Sequence, residues 1–335
     1  MPSLASKVAV VKLYALSRVY YVGSILPITK TTVKKFESII GKFIWASSGW
    51  FLRVSFEDIK NTPQKGGLGM VCVGSMCHSI MLSQFLRLLK SDYNKSLNHI
   101  GYWIGDFLDD LLPGIDSGPR AHEVPAYFDE IVALVMEARF DDLITQRGWH
   151  RLTNRMLYNN KREMFPLVKV EREEGISFKR AWKMIGSPAL TSSVREMSYM
   201  LIHNKLPVTE RMFRFGVNND PYCVFCPRAA ECDAEHFFCS CIRVSDVWSW
   251  IKKKILEISG ENAPNKDLIK FFLPVSNKDT ELAWLLASYY DYAWRRLHIK
   301  GEETLNFEKF FGFLTFKYRL DEQGSRPSLN IPGLL

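Results

Sequence analysis

The chain has 335 residues and is 47% hydrophobic, with 22 Phe, 13 Tyr and 9 Trp. This is ample apolar material for two or three packed domains, and it excludes a disordered or low-complexity chain. The formal net charge is +8, and most of that excess is gathered at one end. Residues 1–65 hold ten Lys/Arg against three Asp/Glu. Residues 101–150 are acidic, with ten Asp/Glu against three Lys/Arg, and residues 151–200 reverse that balance, with ten Lys/Arg against five Asp/Glu. A cationic end of this kind fits a surface that faces a polyanion.

In chain order, residues 5–24 read as a helix rich in Val, Leu and Tyr, stopped by Pro27. Lys7, Lys12 and Arg18 break this run too often for a membrane span or a signal peptide. The expectation is an intracellular protein, of nucleus or cytoplasm, with no membrane association and with reduced cysteines. A second helix opens at Thr31 or Thr32 as N-cap. Its Val33, Phe36, Ile39, Ile40, Phe43 and Ile44 recur at helical spacing, with Lys34, Lys35 and Lys42 on the polar side. Gly66-Gly67-Leu68-Gly69 reads as a turn that needs glycine backbone freedom.

Helices are expected at 75–91 and 127–144, with a mixed stretch at 92–120 between them. Residues 145–175 are polar and read as a link between two units. One or two helices follow in 176–204, then a cysteine-rich block, a helix over 244–257 and another over 281–300. No internal repeat and no strand ladder is visible, so the fold class is mainly α.

The block YCVFCPRAAECDAEHFFCSCIRVSDVWSW spans residues 222–250 and holds five of the seven cysteines and one histidine. Cys223-x2-Cys226-x9-His236-x4-Cys241 is a Cys-Cys-His-Cys zinc pattern. A CxxC turn presents two thiolates to a tetrahedral ion, and a nearby pair closes the site. Four protein ligands leave no position for water, which makes the ion structural. Cys232 and Cys239 compete for a place, and spacing leaves Cys239 and Cys241 level. A zinc deaminase is excluded, because its histidine precedes the cysteines in an H-x-E triplet that this chain lacks.

The block resembles the zinc-binding domain near the C-terminus of reverse transcriptases from non-long-terminal-repeat (LINE-type) retrotransposons. The matching residues are Asn204-Lys205-Leu206-Pro207, Glu210-Arg211, Cys223, Cys226, Glu235-His236-Phe237-Phe238, Cys241 and Val247-Trp248. This register places Cys241 as the fourth ligand. A second, collinear resemblance to the thumb of the same family rests on four motifs. They are Leu26-Pro27, Phe43-Ile44-Trp45, Arg53-Val54-Ser55 and the Gly66–Gly69 turn.

The resemblance implies a helical thumb-like bundle over 1–91, a helical connector over 92–175 and the zinc-binding domain over 176–260. A C-terminal helical extension and tail follow over 261–335. It further implies binding of template RNA and of the RNA/DNA duplex, with the palm and fingers portion of the polymerase as a further partner. Lys30, Lys34, Lys35, Lys42 and Arg53 are the thumb candidates for phosphate contacts, and Arg211, Arg214, Arg228 and Arg243 those of the zinc domain. Phe225, Phe237, Phe238 and Trp248 are expected to form a small core around the ion. With little other core there, metal binding is expected to supply much of the folding energy.

The family's palm carries an aromatic-Ala-Asp-Asp motif for two Mg²⁺. Asp109-Asp110 and Asp141-Asp142 do not fit it. This chain is therefore expected not to polymerise by itself. The competing expectation is a domesticated or decayed retroelement fragment that works as a zinc-stabilised protein-interaction module.

Overall fold

The structure, a computed structural model, describes residues 3–45, 54–91, 99–107, 123–137, 143, 148–226, 230–323 and 331. The named helices in chain order begin with α1 (Leu4–Val10), α2 (Leu16–Gly23), α3 (Lys30–Ile44), α4 (Phe56–Lys60) and α5 (Val73–Ser91). Next come α6 (Ala126–Val135), α7 (Asn154–Glu163), α8 (Lys169–Glu174), α9 (Lys179–Ile185) and α10 (Ser192–Ile202). The last are α11 (Thr209–Arg214), α12 (Ser245–Ser259), α13 (Asn265–Ile269), α14 (Asp279–Ala293) and α15 (Phe307–Gln323). Among the described residues no strand forms, and Tyr222 and Glu231 make an isolated antiparallel bridge. The mainly α class follows. Among the same residues, no helix is long and apolar enough to cross a membrane.

Two compact units interleave along the chain. The first comprises Met1–Ser6, Ile44–Gly69 and Leu167–Leu335, and the second comprises Lys7–Phe43 and Met70–Pro166.

In the second unit α5 lies against α2, α6 and α7. Met81, Phe85 and Leu89 of α5 share a core with Ile131 and Leu134 of α6 and Leu157 of α7. The polar stretch expected to link two units, 145–175, does contain the boundary between them at 166–167, and its residues 154–163 form α7. Thr153 caps α7 by accepting the Met156 N–H, and Leu157 and Tyr158 give the helix one buried face. Two anchoring residues on an otherwise polar helix are too sparse to stand out as a period. The cap of α3 also differs from expectation. Thr29, rather than Thr31 or Thr32, accepts the Thr32 N–H, at 3.2 Å, which starts that helix two or three residues earlier. Cys77 is buried, and its thiol is pushed up to about 11 by burial and by Cys72.

The first unit is built around α14, whose residues Leu282–Ala293 are all buried. Trp284, Tyr289 and Tyr290 are wholly buried there, with Trp182, Phe178, Phe238, Phe271 and Phe310 also enclosed in this unit. A helix apolar on every side belongs at the centre of a core. Each such side chain contributes about 1.5–3 kcal/mol by leaving water. The Gly66–Gly69 turn belongs to this unit. Gly66 has φ 76°, a left-handed conformation that favours glycine. A Cβ on Gly67 would stand 2.0 Å from the Asn61 carbonyl oxygen. The Gly66 carbonyl lies 2.9 Å from His203 Nε2. His203 in turn stacks on Trp182, with centroids 5.2 Å apart.

Candidate metal centre

Two short elements bring the donor atoms together. The first is the loop from Cys223 to Cys226. Its base is pinned where the Cys223 N–H donates to the Ala230 carbonyl (2.9 Å) and the Cys232 N–H to the Pro221 carbonyl (2.8 Å). Within it the backbone N–H groups of Phe225 and Cys226 point at the Cys223 sulfur. Burial opposes ionisation of Cys223, but these donors and the neighbouring thiols outweigh it and hold the thiol below its ordinary value.

The second element is a short helical segment that begins after Asp233. The Asp233 carboxylate accepts the His236 N–H at 2.7 Å, an N-cap that fixes the histidine's backbone. His236–Ser240 then form a π turn, closed by the Cys241 N–H on the His236 carbonyl at 2.8 Å. In an α-helix a residue five positions on would lie well round the cylinder. The wider turn returns Cys241 to the side of His236, the kind of local departure that recurs at functional sites.

Cys223, Cys226, His236 and Cys241 form one cluster whose ligand atoms lie within 4.8 Å of one another. The Cys223 and Cys241 sulfurs are 3.8 Å apart. Cys226 Sγ lies 3.7 Å from Cys241 Sγ and 3.4 Å from His236 Nε2. Tetrahedral zinc with Zn–S of about 2.3 Å separates its sulfurs by about 3.8 Å. The donor set and its spacing therefore fit a four-coordinate ion with no open position. Burial pushes the Cys241 thiol up to about 12, against the Arg243 N–H, which favours the thiolate. Burial also lowers the His236 value, opposed by Asp233, and this keeps the imidazole in its neutral, ligating form.

The other two cysteines of the block are not among the four clustered residues, although Cys232 neighbours Cys223. Cys239 is buried, and burial pushes its thiol far up. Burial and the Cys223 charge push Cys232 to about 11, against its hydrogen bonds to Thr209. Both remain thiols.

The surroundings correct one expectation. The metal loops are not a small domain with little core of its own. Phe238 is wholly buried and packs edge-on against Tyr290 of α14. The Tyr289 hydroxyl donates to the Phe238 carbonyl. Trp248 lies over Tyr289, with centroids 5.3 Å apart. Phe237 meets Trp294, but Phe225 is 45% exposed and lies outside this core. Sequence reading missed α14 as the partner, because its aromatic run carries no mark of what it packs against. The Asp233-x-x-His236 cap spacing was a signal that could have been read.

The cationic candidates divide. Lys30, Lys34, Lys35 and Lys42 are all exposed on α3, where the 3.6-residue period sets them within about 140° of the helix circumference. Arg214 is exposed and pairs with Glu210, and Arg211 is half-buried over the Phe215 ring. Arg243 differs from the expectation of a phosphate contact. It is buried, its guanidinium lies 3.8 Å from the Phe225 ring centre, and it donates to the Glu302 and Glu303 carbonyls. Two of its nitrogens donate inward and tie the metal loop to the turn before α15. Arg53, Arg228 and the pairs Asp109-Asp110 and Asp141-Asp142 lie outside the described residues.

No curated protein matches the chain. Residues 160–248 match the family model described as zinc-binding in reverse transcriptase. That stretch contains all four clustered residues and Trp248. Over that stretch the chain is similar to the zinc-binding region of reverse transcriptases.

Proposed function

We propose that this chain is the non-catalytic C-terminal portion of a non-LTR retrotransposon reverse transcriptase. It holds template RNA and the RNA/DNA primer duplex and is stabilised by a structural zinc. Cys223, Cys226, His236 and Cys241 would hold that ion, which would lock the two loops together without an open position for chemistry. The observation that carries the reading is the geometry of this cluster inside a stretch that matches reverse-transcriptase zinc domains. The exposed lysine face of α3 supports the duplex-holding half of it, since Lys and Arg contact phosphates without regard to sequence. The palm and fingers portion of the polymerase would be a further partner of this chain.

Fluorescence anisotropy with an RNA/DNA hybrid tests the reading. Affinity should fall steeply with salt. The triple variant Lys34→Glu, Lys35→Glu, Lys42→Glu should weaken binding by about tenfold or more and flatten the salt slope by roughly one per lysine. Binding indifferent to both salt and these substitutions would refute it.

One observation favours a second reading, a zinc-stabilised protein-interaction module. Val224 and Ile242, at the tips of the two metal loops, are 83% and 58% exposed. A folded, zinc-loaded chain that ignored RNA and DNA would point that way.

A further inference from the structure

A fifth thiol lies beside the four clustered donors. Cys232 belongs to the returning limb of the loop that carries Cys223 and Cys226. Tyr222 and Glu231 face each other there across an antiparallel bridge. On either side of that pair, the Cys223 N–H donates to the Ala230 carbonyl and the Cys232 N–H to the Pro221 carbonyl. Side chains alternate between the two faces of such a ribbon. Cys223 and Cys232 both flank the Tyr222–Glu231 pair, so they lie diagonally on the face opposite to it. Their sulfurs are in hydrogen-bond contact. Cys232 is 5% exposed, yet it is not one of the four clustered residues.

The surroundings of Cys232 suit a ligand more than a packing residue. The Thr209 hydroxyl and the Thr209 backbone N–H both donate to its sulfur. Donors of this kind favour a thiolate and orient it. Two of the clustered cysteines are served in the same way. The Phe225 and Cys226 N–H groups donate to Cys223, and the Arg243 N–H to Cys241. The Glu210 N–H also donates to the Cys232 carbonyl, at 3.1 Å, which holds the Cys232 backbone against α11. Cys239 has a different setting. Burial and the charges of Glu235, Lys252 and Asp233 act on it, and its sulfur takes no hydrogen bond among the described residues.

A tetrahedral ion with four protein ligands has no place for a fifth. We infer that Cys232 is a reserve ligand of the metal centre, which takes the place of Cys223 when that thiolate is lost and keeps the ion four-coordinate. This role rests on the zinc reading above. The exchange concerns Cys223, the clustered residue whose ribbon face and hydrogen-bond contact Cys232 shares. The same two-limbed loop would then offer either of two thiolates to the ion, with Cys226, His236 and Cys241 unchanged.

Metal analysis and cobalt substitution of cysteine variants test it, since cobalt absorption reports how many thiolates bind. Cys232→Ser should hold zinc as the native chain does. Cys223→Ser should keep its zinc, and its cobalt form should keep the native three-thiolate absorption. The double variant Cys223→Ser, Cys232→Ser should hold the metal at least about a hundredfold more weakly than Cys223→Ser, the upper end of what loss of an outer-shell partner costs. Its cobalt form should show two thiolates. Metal loss as complete in Cys223→Ser as in the double variant would overturn the inference. Equal retention in both would overturn it as well, because something other than Cys232 would then fill the place. Serine is nearly isosteric with cysteine, so a Cys223→Ser chain that stayed unfolded in excess zinc would also count against it. The native chain, measured alongside, separates the two failures. If it held no zinc, the zinc reading itself would fall, and the reserve role with it.

Discussion

Among single residues, His203 gives the clearest pH prediction. It is buried against Trp182 and Tyr199, and burial lowers its value from 6.5 to about 4, against its hydrogen bond to the Gly66 carbonyl. The unfolded chain therefore binds a proton that the folded chain refuses between those two values. Stability from His203 is whole above about pH 6.5 and is lost as pH falls from there toward 4. The melting temperature of the native chain should drop across this window by roughly 5 °C more than that of His203→Gln. Metal loss in acid is common to both proteins, so the difference between them reports on His203. Parallel curves would contradict the assignment. Arg243 makes a different point at the same scale. Its basic character was plain in the sequence. That its guanidinium lies under Phe225 and holds the Glu302 and Glu303 carbonyls depends on residues about 60 positions away, which no local spacing encodes.

Among elements, those with a strong period or a backbone requirement were legible, and those defined by their partners were not. The apolar period of α3 and the glycine turn at 66–69 both appear where the sequence pointed. The turn has a direct test. Gly67→Ala would drive a Cβ into the Asn61 carbonyl, so it should cost about 1–3 kcal/mol, seen as a lower urea midpoint with unchanged slope. An unaffected midpoint would mean that the turn relaxes freely. The four clustered residues were nameable from spacing plus family register, although spacing alone left Cys239 level with Cys241. The π turn at His236–Ser240 carries Cys241 round to His236, and Cys239 is buried outside that cluster. The helix α7 was harder, being polar with two buried anchors. By contrast, α14 lies largely within the helix expected over 281–300. Only its packing partners were hidden, because a run buried on every side shows no face.

At the scale of the whole molecule, the metal loops are part of a larger core. Their aromatic residues pack on α14, which lies beyond the stretch that matches the family model. A bound metal and this core would therefore stabilise the first unit together, unlike an isolated zinc finger, which folds on metal alone. Metal analysis of the purified chain, beside its Cys241→Ser and Cys239→Ser variants, tests the metal centre most directly. The account predicts equimolar zinc in the native chain and in Cys239→Ser, and loss of zinc in Cys241→Ser. A native chain without zinc, or zinc lost from Cys239→Ser and kept by Cys241→Ser, would contradict it.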